Sequence, residues 1–235
     1  APLLSALLED YRAVSREGPV SAVRFSEYII YQETGSRKKY EAAYFARRKR
    51  LNTYALMALV YPEEGEHLLQ LQDTVWAICD EYTWALPAHI AWRTGRDPGC
   101  IDLFSAETGF ALSMIRHLLG DRLHEKMKER IDWEINRRII RPFLYRRFWW
   151  EHSNNNWAAV CAGSVGCTFM LSRPRLFSLI RPRIAFTMRR FLSGFSADGI
   201  CAEGVDYWSY GFGFFTVYAL SLIHISEPTR LLSIS

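Results

Sequence analysis

Two short stretches hold most of the side chains with which this chain could do chemistry. One is Asn154-Asn155-Asn156-Trp157. The other runs from Asp198 through Glu203, Asp206, Tyr207 and Trp208 to Tyr210. Each sets amides, carboxylates or phenols beside tryptophan, between apolar runs. A buried amide must be hydrogen-bonded on both its oxygen and its nitrogen, so three consecutive asparagines have little place in a core. Beside flat rings they suit a cleft that grips a sugar, where polar groups bond hydroxyls and a ring lies along the C–H face. Simpler roles stay open. Asn154 to Asn156 could cap a helix beginning at Trp157, and Tyr207, Trp208 and Tyr210 could be packing aromatics at a helix start.

The charge pattern narrows the partner. The net charge of +4 is mild, but Arg137, Arg138, Arg141, Arg146 and Arg147 are closely spaced, and Arg173, Arg175, Arg181, Arg183, Arg189 and Arg190 follow. Such runs suit an acidic glycan, nucleic acid or a membrane surface, or simply a solvated helix face. No strand-turn or zinc-knuckle pattern accompanies them, so nucleic acid is not expected as a partner. No apolar run is long enough to span a membrane. The five cysteines are odd in number and form no CxxC pair. They read as buried free thiols, with no metal site, disulfide framework or cofactor expected. Oligomeric state and compartment stay open.

The elements that must position these residues are helical. Leu103, Ala106, Phe110, Met114, Ile115 and Leu118 recur at three- and four-residue steps, with Asp102 placed as N-cap and Gly120 as the stop. Leu123, Met127, Ile131, Ile135 and Ile139 form a second stripe, predicted to end at Pro142. Similar patterns cover residues 40–60, 67–82, 157–171 and 176–195. No convincing period-two alternation occurs. Apolar residues make up 49% of the chain, enough for a sizeable core. The pattern predicts an all-α fold of stacked antiparallel helical hairpins, a toroid or solenoid rather than a compact four-helix bundle. Loops at 83–99, 148–156 and 197–206 then border a shared cleft.

Five motifs in order carry a family resemblance. They are Ile78-Cys79-Asp80-Glu81…Trp84…Pro87-Ala88-His89, then Ile101-Asp102-Leu103-Phe104-Ser105-Ala106-Glu107-Thr108-Gly109, then Glu134-Ile135-Asn136-Arg137-Arg138-Ile139-Ile140-Arg141-Pro142. The asparagine-tryptophan stretch and Glu203-Gly204…Tyr207-Trp208 complete them. The series resembles the helical N-terminal domain of the heparinase II/III-like polysaccharide lyases, over roughly residues 20–219. The resemblance implies an incomplete (α/α) toroid followed by a β-sandwich, and β-elimination of an acidic polysaccharide. It implies that Asn155 or Asn156 neutralises the uronate carboxylate and that Tyr207 transfers the proton. Substrate binding then falls to Glu203, His152, His89, Trp157, Trp208, Tyr210, Trp84, Arg137 and Arg138. In the family a histidine often follows the asparagine; here Trp157 stands there, and His152 or His89 could supply an imidazole instead.

The domain expectation is a toroid portion over residues 1–219 and a non-native tail over 220–235. The segment Leu220 to Arg230 looks like the translation of a sequencing-library adapter, so the tail takes no part in functional reasoning. The resemblance places a further catalytic histidine in the β-sandwich, so the chain as given is expected to be inactive alone. Two other readings stay open: a non-catalytic glycan-binding toroid, and a glycoside hydrolase using Glu203 and Asp206. Hydrolysis needs two carboxylates at a defined separation, and three residues apart these would share one local turn. Among the remaining candidates, Trp84 also reads as core or rim, His89 as a loop brace, and Glu107 as a buried partner for an arginine.

Overall fold

The computed structural model describes residues 2–90, 99–201 and 204–226. Glu203 and the tail from Glu227 onward lie outside the described residues. Among those described the chain is all-α. No strand forms, and an isolated antiparallel bridge between Phe195 and Cys201 is the nearest approach to one. No described helix is long and apolar enough to cross a membrane. The chain divides into two compact units, residues 1–98 with 118–134 and residues 99–117 with 135–235.

The first unit holds α1 (Pro2–Arg16), α2 (Phe25–Tyr28), α3 (Ile30–Thr34), α4 (Lys38–Val60) and α5 (Gly65–Cys79), with a 3-10 turn at Pro87–His89. α4 and α5 form its centre. His67, Leu71, Val75 and Ile78 mark the buried stripe of α5, and Tyr44, Leu51, Tyr54 and Met57 lie on the buried side of α4. Within this core Arg47 and Arg48 both reach Glu81: Arg47 Nη1 at 2.7 Å, and Arg48 through Nη1 at 2.5 Å and Nη2 at 2.7 Å. Arg47 also donates Nε to the Ser21 carbonyl at 2.9 Å, while Arg50 Nη1 holds the Gly18 carbonyl at 2.8 Å. Guanidiniums of α4 thereby fasten the extended segment between α1 and α2.

The second unit opens with α6 (Leu103–Leu118), whose N-terminus is capped as expected. The Asp102 carboxylate accepts the Ser105 N–H at 2.7 Å. α7 (Glu125–Ile135) supplies the last helix of the first unit. The helix expected to end at Pro142 widens instead into a π-turn at Asn136–Ile140 and resumes as α8 (Arg141–Tyr145). Pro142 falls in the first turn of α8, directly after the π-turn. A 3-10 turn at Trp149–His152 leads to α9 (Asn156–Ser172), α10 (Pro174–Leu192) and α11 (Val205–Ser221).

α9 is buried along nearly its whole length, and two glycines make room for α11. A Cβ on Gly163 would lie 2.9 Å from the Phe214 carbonyl oxygen, and one on Gly166 would lie 2.6 Å from the Tyr218 ring. The contacts climb both helices together, so α9 and α11 run parallel with their N-termini at the same end. α10 packs on α9 through Phe177, Ile180, Ile184, Met188 and Phe191, spaced at three and four residues.

A buried ion pair secures the approach to α9. Arg183 grips Glu151 through Nε and Nη2, both at 2.5 Å, and donates to the carbonyls of Phe143 and Arg146. Its guanidinium lies 3.8 Å from the centre of the Phe143 ring. Glu151 in turn accepts the Phe148 N–H at 2.5 Å, which closes the turn carrying Trp150. Breaking such a pair strands a buried charge. Arg183→Met is expected to lower stability by about 3–5 kcal/mol, measured by urea unfolding. Arg183→Lys should recover little of that, because an ammonium cannot reproduce the two-pronged fork.

Candidate functional site

The asparagine stretch forms the entrance to α9. Asn155 occupies the N-cap position, yet its side chain makes no cap bond. Its Oδ1 accepts the Ser153 hydroxyl at 2.6 Å instead. Asn154 is exposed, Asn155 half-buried and Asn156 buried. The expected cap position is thus occupied by Asn155, without a side-chain cap bond.

α11 arrives directly beside this entrance. A Cβ on Gly211 would come within 3.2 Å of the Asn156 Cα and 2.9 Å of the Phe191 ring. Tyr207 lies four residues earlier on the same helical face, one turn of about 5.4 Å further out. It therefore overhangs the N-terminus of α9 and is exposed. The positive end of α9 lies at this point, which favours a negative group. Trp157 rests against the exposed Trp149 ring at a centroid distance of 4.9 Å. Trp208 stacks on Phe212 at 5.4 Å and stays partly exposed.

Other expected site residues take different positions. Tyr210 donates its hydroxyl to the Glu107 carboxylate on α6, so its oxygen is engaged within the fold. The His152 imidazole meets the edge of Phe186 at 5.4 Å, and its carbonyl accepts Arg190 Nε at 3.3 Å. Arg137 is exposed on the π-turn, whereas Arg138 is buried and presents no surface to a ligand. Trp84 and His89 belong to the first unit. Trp84 is fully buried, with Nε1 donating to the Ile78 carbonyl at 2.9 Å, and is a core residue rather than a sugar platform. His89 Nε2 stands 3.4 Å from Arg37 Nη2 on the 3-10 turn. No group of three or more His, Cys, Asp or Glu side chains among the described residues could hold a metal ion.

Glu107 pairs with a phenol, not with the arginine the sequence suggested. Burial raises its pKa to about 7; the Tyr210 bond opposes that rise and the Asp102 charge adds to it. Tyr210 is pushed far above the usual phenol range by burial and then by Glu107, and the buried Cys161 thiol is also raised. Glu107, Tyr210 and Cys161 form a buried cluster inside the second unit in which burial favours the protonated form of each. Nothing in the sequence marks the pair, since its members stand 103 residues apart.

No protein-family model matches this chain, and no curated protein sequence matches it.

The raised Glu107 sets a pH dependence. Unfolded, the carboxyl titrates near 4.5; folded, near 7. Between those values the native state holds a proton that the unfolded state has lost, so stability falls as pH rises. The contribution is complete below the unfolded value and is lost as pH passes through the folded one, on the order of 3 kcal/mol in all. Denaturant unfolding across that range should show the decline, and Glu107→Gln should remove most of it.

Proposed function

We propose that this chain is the helical part of a polysaccharide lyase of the heparinase II/III-like kind, an incomplete (α/α) toroid that holds an acidic, uronate-containing glycan for β-elimination. The observation that carries the reading is the seating of Gly211 against Asn156. By helical periodicity Tyr207, one turn earlier on α11, then falls on the side that faces the start of α9 and its positive end. The five ordered motifs agree with it, and so does the all-α architecture.

The reaction explains these residue types. A uronate carboxylate must be neutralised before the carbon-bound proton beside it can leave. Asn155 and Asn156 carry the amides for that, and a preorganised donor of this kind contributes roughly 3 kcal/mol to the transition state. Tyr207 takes the proton, the freed electron pair forms a carbon–carbon double bond, and the bond to the leaving glycosidic oxygen breaks. That oxygen then takes up the proton that Tyr207 has received, which returns the tyrosine to its starting state. The exposed Trp149 ring, with the half-buried Trp157 ring against it, suits a neighbouring sugar face. Glu203 adjoins α11 in sequence and is a candidate contact.

Binding without turnover is the second reading. It is favoured by Trp157, which stands in the first turn of α9 where a histidine would assist and whose ring already lies against Trp149.

The test has two parts. Calorimetry of this chain with tetragalacturonate and with heparan-derived oligosaccharides should give saturable binding, weakened about tenfold or more by Asn156→Ala or Trp149→Ala. A protein extended past Ala219 by the expected β-sandwich should release an unsaturated, ultraviolet-absorbing product. Tyr207→Phe should lower that rate by at least about a hundredfold with little change in binding. Binding with no product supports the second reading, and absence of both defeats the proposal.

A further inference from the structure

The first unit contains a cavity of about 1110 Å³ that the lyase reading does not use. It lies between the extended segment Pro19–Arg24, with Phe25 at the start of α2, and the outer face of α5. One wall is that segment, fixed by the Arg47 bonds to the Ser21 carbonyl. The other is the ridge Gln70, Asp73, Trp76, Ala77 and Asp80, spaced so that all face one side of the helix. Three large rings stay open to solvent around it: Phe25 is 75% exposed, Tyr82 64% and Trp76 46%. A fourth, Tyr28, stands edge-on to Tyr82 at 5.4 Å.

The polar lining is close to charge balance. Asp80 is paired with Arg130 at 2.8 Å, and Glu81 is held by Arg47 and Arg48. Asp73 and Arg24 add one charge of each sign. A strongly anionic ligand would meet Asp73 and Asp80, and an organic cation would meet the guanidiniums. Neither sign of charge is favoured. Planar carboxylate, amide and guanidinium groups interleaved with open rings fit a molecule that has both hydroxyls and apolar C–H faces. The volume slightly exceeds the range of about 300–1,000 Å³ usual for small-molecule clefts, enough for more than one sugar ring.

We infer that the first unit binds a neutral oligosaccharide in this cavity, with Trp76 and Tyr82 as the stacking platforms and Asp73 and Gln32 as hydroxyl partners. The Arg130 guanidinium, 5.5 Å from the Trp76 ring centre, steadies that ring from one side. This site lies wholly within the first unit and stands or falls independently of the second.

The experiment is calorimetric titration of the chain with cellohexaose, maltohexaose and chitohexaose, with tetragalacturonate as the anionic comparison. At least one neutral hexamer is expected to bind saturably. Trp76→Ala and Tyr82→Ala should each weaken it about tenfold, and Asp73→Asn should weaken it less. Trp149→Ala in the second unit should leave it unchanged. Because the altered rings are exposed, the variants should keep the wild-type circular dichroism and unfolding midpoint. The inference is overturned if no neutral hexamer binds, if both ring variants bind as wild type, or if Trp149→Ala alone abolishes binding. Tighter binding of tetragalacturonate that Trp76→Ala weakens would also overturn it.

Discussion

A carboxylate taken out of water must be matched by a cation or keep its proton, and that constraint organises both units. Glu81 and Glu151 take the first course. Each is gripped by guanidiniums that also bond backbone carbonyls, so a single buried acid ties several chain segments together. Glu107 takes the second course. With only a phenol beside it, burial holds it protonated toward neutral pH. The arginine pairs fix backbone, while the protonated pair joins α6 to α11.

These anchors set where functional groups can stand. Arg183 and Glu151 hold the turn that precedes α9, and the three asparagines follow directly from it. Gly163, Gly166 and Gly211 then let α11 approach to backbone distance, because any side chain at those positions would collide with Phe214, Tyr218 or Phe191. The seating of Gly211 against Asn156 is thus a consequence of small residues and packing. In the first unit the same kind of anchoring acts on a loop. Arg47 pins the extended segment beside α5 while leaving a gap, and Phe25, Trp76 and Tyr82 around that gap remain in water.

The aromatic residues divide along the same line. Trp84 and Trp150 are buried, and each spends its indole N–H on a carbonyl: Ile78 for one, Ile101 for the other. Trp76, Trp149 and Trp208 keep part of their surface in water and rest against a neighbour. A buried ring must satisfy its polar edge, whereas an exposed one is free to meet a ligand face.

The sequence by itself determined the helices and most of their limits. The stripe from Leu103 to Leu118, the Asp102 cap and the spans of α4, α5, α9 and α10 are local patterns, written in residues three or four apart. It also marked Asn154 to Asn156 and Tyr207 as unusual, because polar and aromatic types crowd there. Tertiary structure alone decided which of those types were available. Trp84 and Arg138 went inside, Tyr210 was taken up by Glu107, and the expected stop at Pro142 became a π-turn. The cavity beside α5 was likewise invisible, since its two walls are brought together by guanidinium–carbonyl bonds that join residues 26 and 32 positions apart. Periodicity reports on neighbours along a helix. Pairing of a buried charge and contact through a glycine depend on segments that only folding brings together.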